Sequence, residues 1–571
     1  MNPACTRGRA LAGLLAFLAT LAIHCALLPA QGLTDDDDYY APAGLRYADW
    51  LKDLVSKPGS ALERAAVDRA FSLNHEHPPL AKVMFGLAHA LLHDATGLMG
   101  ELDAARMGTA LFASLLSAVL LLLLWRPLGP LPAIAAPLLL LSLPRFLFHS
   151  QVATLDVPVA CAVVVITAAF FAADRAAEQA TAHARRWQAL CGLLFGLGLL
   201  VKLNAPFALL ACAAWAGLTR WRGFGLERTG STWAVRVPPI PRALLWMVLL
   251  GPLVFVALWP WLWHDTLARI GGYFAFHLTH YPILHFYQGE IFERPFAPWH
   301  AVLVLGFGAM PLPVVLLGLL GVARATRAIG RMVHHADADG GALDIKDGDR
   351  LRALLLLQAA LSMLIVMNPA VPRYGGEKLF MPFFPLFCAL AADGLAVVVA
   401  ALHELARVSS RRARAALSCA LLALACAPGV CGTVKHHGGY ALSYFGESMG
   451  GLRGAVASGY ERSYYDVADK PLARLLDAHM GSTPKEGGAV AFLPNHKEYA
   501  RTYRWLARDG YVSPSLKLEA DWHKASLVVL THERRWSTYP ALLAQLQTGR
   551  YDVVEEKRID GVPLWTLYRR R

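Results

Sequence analysis

LAGLLAFLATLAIHCALL, residues 11–28, is an apolar run, and four consecutive aspartates, residues 35–38, follow it closely along the chain. The run predicts a membrane-spanning helix, because a span needs about 20 mostly apolar residues. The aspartates, with Tyr39 and Tyr40 after them, then lie where the bilayer meets water. Carboxylates at that depth can act as bases or bind cations beside a substrate that a lipid carries.

The composition is that of a membrane protein. Of 571 residues, 56% are hydrophobic and 17% are charged, and the mean hydropathy is +0.40. These values predict a polytopic α-helical membrane protein with about eleven transmembrane helices. The spans are expected at residues 11–28, 107–125, 131–148, 157–173, 189–201, 205–218, 243–263, 302–322, 351–367, 379–399 and 415–430.

Basic residues predict the orientation. Arginines concentrate in alternate loops, such as 174–188 and 219–242, and the loops between them are much poorer in basic residues. By the positive-inside rule, the arginine-rich loops are cytoplasmic. We therefore expect a multi-pass protein of the cell membrane, with a cytoplasmic N-terminus and with the aspartates and the C-terminal region outside. These loops explain the net charge of +12, so no nucleic-acid partner is needed to explain it.

The first span has a second interpretation as a signal peptide. Arg7 and Arg9 precede it, and a cut after Ala30 would suit such a peptide. Cleavage also needs a small residue at position 28, where Leu28 stands, so we expect the helix to be retained.

The chain divides into a transmembrane module, residues 1–430, and a soluble outer domain, residues 431–571. The module includes a first outer loop, residues 31–105. Hydrophobic patterning predicts that the outer domain is a small α/β domain. The nine cysteines do not suggest a disulfide framework. Expected strands lie near 489–493, 526–531, 551–557 and 562–568, with helices near 465–480 and 499–508, and short amphipathic helices of the outer loop near 47–55 and 62–70.

The aspartate run has two interpretations. Packed like charges raise one another's pKa, so one member can serve as a base near neutral pH. The alternative is a solvated acidic stop after the helix, or a loose cation site. A divalent cation is thus permitted but not required, and we assign no metal ligands.

Residues 74–82, NHEHPPLAK, form a second polar cluster. Two prolines favour a turn that starts a helix, which places Lys82 in its first turn. A helix N-terminus with a lysine suits a phosphate; a rigid loop-to-helix corner explains the pattern equally well. His75 and His77 lack a clearly spaced third ligand, so zinc is not favoured here.

Further charged residues fall at the same outer level. Asp156 opens a span, where an N-cap is the simpler explanation. Lys202 stands between two short spans, and a lysine there is costly unless it faces a polar cavity. Arg373 and Lys378 come before the next-to-last span. Each taken alone is explained as a residue that anchors the span at the membrane interface, and together they could bind the phosphate of a lipid carrier. If the chain is an enzyme, we expect Asp36, Lys82, Asp156 and Arg373 to converge on one outward-facing cavity.

The motifs resemble those of the GT-C membrane glycosyltransferases, of the protein O-mannosyltransferase and lipid A aminoarabinose transferase type. Those families carry an Asp-Glu pair after the first span, then Ala-Gly, then His-Pro-Pro-Leu-x-Lys. Counting back from Ala43 and Gly44 places the pair on Asp36 and Asp37, with Asp in the Glu position. The likeness extends to about residue 466. Its other parts are Glu76 to Lys82, Thr154 to Asp156, Leu200 to Lys202, His280 to Pro282, Tyr287 to Glu290 before Pro298 and Trp299, Arg373 and Tyr374 with Pro382 and Pro385, and Ser443 to Phe445 with the glycines that follow.

The resemblance implies a mannosyltransferase-like enzyme that takes a hexosyl or pentosyl group from a polyprenyl (dolichyl-type) phosphate. The lipid-linked sugar is a co-substrate, no cofactor is certain, and the acceptor is a protein, lipid or glycan. It implies a single inverting displacement with Asp36 as the general base, while Asp37 and Asp156 orient the acceptor or the base. The residues implied to bind the lipid phosphate or the substrate are His77, Lys82, Asp156, Lys202, Arg373 and Tyr374.

Two rival functions remain on the sequence alone. A transporter or flippase of lipid-linked sugars would usually show pseudo-symmetric halves, and the single long outer loop and single soluble tail argue against them. A non-catalytic assembly or sensor protein would leave the His-Pro-Pro block without an explanation.

Overall fold

The computed structural model describes residues 3–229, 232–279, 281, 283–334, 346–408, 410–481, 489–513 and 517–571. The first part of the chain is a long helix followed by a helical outer loop. Its elements are α1 (Pro3–Leu27), β1 (Leu33–Thr34), α2 (Asp35–Ser56), α3 (Pro58–Ala61), α4 (Arg64–Phe71) and α5 (Leu80–His89), which continues into a π-helical turn (Ala90–Ala95).

The second part is the helical bundle. Its helices are α6 (Glu101–Trp125), α7 (Pro130–Leu141), α8 (Pro144–His149), α9 (Asp156–Glu178), α10 (Ala184–Leu199), α11 (Pro206–Arg220), α12 (Arg242–Ala257), α13 (Thr266–Leu278), α14 (Ala301–Gly308), α15 (Leu312–His334), α16 (Asp347–Met367), α17 (Phe383–Leu405) and α18 (Arg411–Lys435). Two hairpins interrupt it: β2 (Gly225–Thr229) with β3 (Thr232–Arg236), and β4 (His285–Tyr287) with β5 (Glu290–Phe292).

The predicted spans all fall on helices. Seven helices of the described chain are long and apolar enough to cross a membrane, namely α1, α6, α9, α15, α16, α17 and α18. The other four predicted spans coincide with α7, α10, α11 and α12, which have 12 to 16 residues. The polytopic helical class is confirmed.

The C-terminal part is a small α/β domain, as predicted. Its elements are α19 (Gly451–Ala457), β6 (Val467–Ala468), α20 (Lys470–Gly481), β7 (Ala489–Leu493), α21 (His496–Arg508), β8 (Lys517–Leu518), β9 (Leu527–Thr531), α22 (Tyr539–Leu546), β10 (Tyr551–Ile559) and β11 (Val562–Arg570). Five strands form one sheet in the order β10-β11-β9-β7-β8, with β7 parallel to β8 and β9. The four strands expected from patterning are all present.

The outer domain packs directly on the first outer loop. Strand β1 pairs antiparallel with β6, so Leu33 lies opposite Ala468 and Thr34 opposite Val467. One buried apolar cluster contains Phe85 from α5 together with Trp505 and Leu567 from the outer domain. The start of α2 is therefore held between the bundle and this domain.

Helix α2 starts at the aspartate run. The Thr34 side chain accepts from the backbone N–H of Asp37, and the Asp37 side chain accepts from that of Thr34, which makes a capping box. Four carboxylates in the first turn also match the positive end of the helix dipole. The run is thus a helix N-terminus, whereas the sequence suggested a loop at the foot of α1.

Helices α2 and α5 approach closely because both carry glycine at the crossing. A Cβ added at Gly44 would lie 2.3 Å from the carbonyl oxygen of Lys82. A Cβ added at Gly86 would lie 2.0 Å from the carbonyl oxygen of Gly44. Both neighbours are backbone atoms, so they cannot move aside as a flexible side chain would.

Gly86→Ala is expected to push α2 away from α5 and to lower the stability of the folded protein by roughly 1–3 kcal/mol, the usual range for overpacking. The measurement is the thermal unfolding midpoint in detergent. Gly59→Ala is the matched control, because a Cβ at Gly59 meets nothing within 4 Å. Equal midpoints for both variants would show that the crossing is looser than described.

Candidate active site

The four aspartates in the first turn of α2 have different surroundings. Asp37 faces the bundle, Asp38 faces the outer domain, and Asp36 lies towards the N-terminal end of α9. Asp35 has one buried carboxylate oxygen, Oδ1, without a hydrogen-bond partner in the described part of the chain. Burial and then the charge of Asp36 raise the pKa of Asp35 to about 6.

Asp37 is a structural anchor. It is fully buried and accepts from Arg106 of α6, Nε at 3.0 Å and Nη2 at 2.6 Å. It also accepts from the backbone N–H groups of Ala153 (2.7 Å) and Thr34 (3.0 Å). Both carboxylate oxygens are thus occupied, which leaves Asp37 poorly placed to take a proton from a substrate.

Asp38 joins α2 to the outer domain. Its carboxylate accepts from Trp505 Nε1 at 2.6 Å and pairs with Arg501, both on α21. Asp37 and Asp38 therefore join α2 to the bundle and to the outer domain, which leaves Asp35 and Asp36 as the candidates for chemistry.

Asp36 is bound by side chains alone. The Tyr465 hydroxyl donates to Oδ2, and the Thr154 hydroxyl lies 3.1 Å from the same atom. Lys378 Nζ lies 3.4 Å from both carboxylate oxygens and 3.0 Å from the Tyr465 hydroxyl. Burial opposes the charged form of Lys378, but the charges of Asp36 and Asp156 hold its pKa above the ordinary value.

Thr154 connects Asp36 to a second acid. Its hydroxyl lies 2.9 Å from Asp156 Oδ2, and Lys202 Nζ lies 2.5 Å from Asp156 Oδ1. Asp156 is the first residue of α9, and the N-cap position is held by Leu155. The N-cap explanation of Asp156 is therefore wrong, because the carboxylate is engaged by Thr154 and Lys202. Asp36, Asp156, Lys202 and Lys378 form one buried network, which we call the acid–lysine network.

A cavity of about 380 Å³ adjoins this network. It lies between α9, α11, α13 and α16, and its walls are mostly apolar, with Val163, Phe207 and Ile365 among them. Lys202 is in the wall and brings one end of the network to the cavity. Polar groups of the wall are His77, Lys202, Asn204, His277, Gln358, Ser362, Asn368 and Tyr374.

His77 and Tyr374, both predicted site residues, thus lie at the cavity. The His77 ring packs edge-on against Tyr40 at 5.6 Å and lies 5.3 Å from the His277 ring. Desolvation and then the charges of His277 and Lys82 hold the pKa of His77 well below its usual range. Tyr374 places its ring 5.5 Å from Lys378 Nζ.

Lys82 lies in the first turn of α5, as predicted, but its ammonium group turns into the preceding loop. Nζ donates to the carbonyl oxygens of Asn74 (2.6 Å) and His77 (2.8 Å) and to Asn74 Oδ1 (3.0 Å). An ammonium group has three donors, so this set uses all of them. Burial lowers the pKa of Lys82 to about 7.

Arg373 is likewise committed to backbone carbonyls. Nη1 donates to Ala297, and Nη2 donates to Met367 (2.7 Å) and Asn368 (3.0 Å). Of the four residues expected to converge, Asp36 and Asp156 do meet, whereas Lys82 and Arg373 hold the loops beside them. The physical reason is that irregular loops expose carbonyls that need donors.

Sequence reasoning missed three participants. Tyr465 lies in the outer domain, far along the chain from Asp36, and its hydroxyl contacts Asp36 only because the chain folds back. No local motif marks it. Arg106 lies in α6 and is buried opposite Asp37. The available signal in the sequence was an arginine at the edge of an apolar run. Thr154 stands within a stretch already matched by the resemblance, but its hydroxyl was not assigned a role. Lys378 was noted as a basic residue of the outer level.

Comparisons with protein-family models and with curated protein sequences find no match. Among solved structures, ArnT from Cupriavidus metallidurans in the apo state is 17% identical, with a TM-score of 0.50, over 99% of this chain and 98% of that one. ArnT from the same organism bound to undecaprenyl phosphate gives 15% identity and a TM-score of 0.46, over 99% and 98% of the two chains. The archaeal oligosaccharyltransferase AglB from Archaeoglobus fulgidus, in complex with an inhibitory peptide and a dolichol-phosphate, gives 14% identity and a TM-score of 0.46. That match covers 97% of this chain and 74% of that one.

The apo ArnT likeness shows the fold. It covers nearly the whole of both chains, so it includes the helical bundle as well as the outer domain. The chain therefore has the GT-C type of membrane fold that its motifs imply.

Asp37→Asn is expected to destabilise the protein strongly, because breaking a buried ion pair by removing one charge costs about 3–5 kcal/mol. The thermal unfolding midpoint in detergent measures the loss. Asp53→Asn, at an exposed position of the same helix, is the matched control and should leave the midpoint unchanged. An Asp37→Asn protein as stable as wild type would contradict the anchoring role.

Proposed function

We propose that the chain transfers a sugar from a polyprenyl phosphate carrier to a hydroxyl of a protein, lipid or glycan on the extracytoplasmic face. The observation that carries the proposal is an apolar cavity with Lys202 in its wall, joined through Asp156 and Thr154 to Asp36. The volume of about 380 Å³ is within the usual range for ligand pockets. The shared fold and the motif resemblance support the same function.

The apolar walls suit the first isoprene units of the carrier, and the lysines suit its phosphate. Lys202 and Lys378 are the two network cations that a bound phosphate can draw away from their carboxylates. Lys82 and Arg373 then act indirectly, by holding the loops that shape the site. We therefore assign the lipid phosphate to Lys202 and Lys378, which lie beside the two acids. Lys82 and Arg373, which the resemblance also implies as phosphate ligands, do not contact it directly.

Withdrawal of Lys378 from Asp36 on donor binding frees the carboxylate as a general base. Asp36 takes the proton of the acceptor hydroxyl as its oxygen attacks the anomeric carbon. The bond from that carbon to the phosphate oxygen breaks with inversion, and the carrier leaves as a polyprenyl phosphate with one more negative charge. Lys202 and Lys378 stabilise that charge, which is larger in the transition state than in the bound donor.

The neighbours of Asp36 keep the base in place. The Tyr465 hydroxyl donates to Oδ2 of Asp36, and the Thr154 hydroxyl lies between that atom and Asp156 Oδ2. Oδ1 of Asp36 is then available to the acceptor once Lys378 has withdrawn. Asp156 orients Thr154 and Lys202. Tyr465 also ties the base to the outer domain, so that domain contributes a side chain to the site.

Asp36→Asn is expected to lower the transfer rate by about 10²–10⁴-fold, the usual contribution of a general base. The assay measures sugar transfer from defined polyprenyl-phosphate sugars by the purified, detergent-solubilised chain, with and without EDTA. Asp53→Asn is the control. Full activity in Asp36→Asn would exclude Asp36 as the base, and carrier translocation without bond cleavage would favour the flippase instead. Activity retained in EDTA would show that no divalent cation is needed.

Lys202→Met is expected to lower kcat/KM for the lipid donor by roughly 10- to 100-fold, since a hydrogen bond to a charged group contributes about 1.5–3 kcal/mol. The double variant Lys202→Met/Asp156→Asn separates two causes. Its kcat/KM stays as low as that of Lys202→Met if Lys202 binds the phosphate. It regains activity if the single variant fails only because Asp156 is left unpaired, and that recovery would contradict the phosphate role.

A further inference from the structure

Three potential metal ligands lie together at the far end of α5, away from the acid–lysine network. His89 is the last residue of α5, and His93 and Asp94 lie in the π-helical turn. One ligand atom from each lies within 4.8 Å of the other two. The group shares no residue with the candidate active site.

The π-helical turn explains why these three side chains meet. In an α-helix, five residues make roughly 1.4 turns, so residues i and i+5 face different sides. The wider turn of a π-helix, with i to i+5 hydrogen bonds, brings residues i, i+4 and i+5 to one face. His89, His93 and Asp94 have this spacing. π-helical turns of this kind occur frequently at functional sites.

His93 is oriented as metal-bound histidines usually are. Its Nδ1 lies 2.9 Å from the carbonyl oxygen of Met99, an acceptor that fixes the proton on Nδ1. The lone pair is then on Nε2. A backbone carbonyl on the second ring nitrogen is the common outer contact of a histidine ligand.

His89 and Asp94 complete the set. His89 is 7% exposed, its Nδ1 lies 3.5 Å from Asp94 Oδ1, and its Nε2 is buried without a hydrogen-bond partner in the described chain. The Nδ1 atom faces the Asp94 carboxylate, so it is the ligand atom that His89 offers to a metal shared with Asp94. Asp94 Oδ2 faces Lys52 at 3.4 Å, which leaves Oδ1 on the histidine side.

We propose that His89, His93 and Asp94 bind a zinc ion in the first outer loop. Two imidazoles and a carboxylate suit zinc, with water as the fourth ligand. Bonds of about 2.0–2.2 Å place tetrahedral ligand atoms about 3.4 Å apart, so small side-chain rotations close the site. Lys52 retains Asp49 as a partner at 3.0 Å when Asp94 turns to the metal. The ion braces the end of α5, the helix that carries Lys82.

The test counts zinc per chain in the tag-free, detergent-solubilised full-length protein after chelator treatment and reloading with Zn²⁺ alone. His93→Ala and Asp94→Ala are each expected to bind one zinc ion fewer than wild type. His93→Cys, which supplies a thiolate ligand, is expected to restore the count. Zinc should raise the unfolding midpoint of wild type and of His93→Cys by more than that of His93→Ala.

His75→Ala is the matched control, because His75 also has Nδ1 against a backbone carbonyl, that of Ser72 at 2.9 Å. It should bind as much zinc as wild type. The proposal is overturned if His93→Ala and Asp94→Ala bind as much zinc as wild type. It is also overturned if the loss occurs in His75→Ala instead, which would place the ion at His75 and His77.

Discussion

The buried contact between Asp37 and Arg106 is the constraint on which the site depends. It joins the first turn of α2 to α6, and the same carboxylate accepts from Ala153 in the loop before α9. Two charges removed from water are tolerated only when each is well paired, and here further N–H groups complete the pairing. The contact fixes the direction of α2, and because Asp36 is adjacent in sequence, it also fixes where Asp36 must point.

The remaining geometry follows from that direction. The close glycine crossing of α2 and α5 places the loop with His77 at the cavity, and strand β1 ties the same turn to the outer domain. Tyr465 then contacts Asp36 from the outer domain, and Thr154 contacts it from the bundle. Through Thr154, Asp36 is linked to Asp156 and Lys202. The site is thus assembled from both domains, and neither domain supplies it alone.

Patterning predicted much of this structure. The eleven helical segments and four of the outer-domain strands follow from apolar runs and alternation, which are local signals. The helix after Pro78 and Pro79 was predicted because proline favours a first turn. The sequence could not show that Lys82 and Arg373 turn to backbone carbonyls, or that Tyr465 reaches Asp36 from far along the chain, since those contacts depend on tertiary packing. Four identical aspartates also gave no local sign of which one is the anchor.

The most direct test of the account is a structure of Asp36→Asn bound to a polyprenyl phosphate. We predict that the prenyl chain enters the apolar cavity, that the phosphate lies within hydrogen-bond distance of Lys202 and Lys378, and that Lys378 has left residue 36. A phosphate held by Lys82 or Arg373, or a carrier bound outside the cavity with the lysines still on their carboxylates, would contradict it.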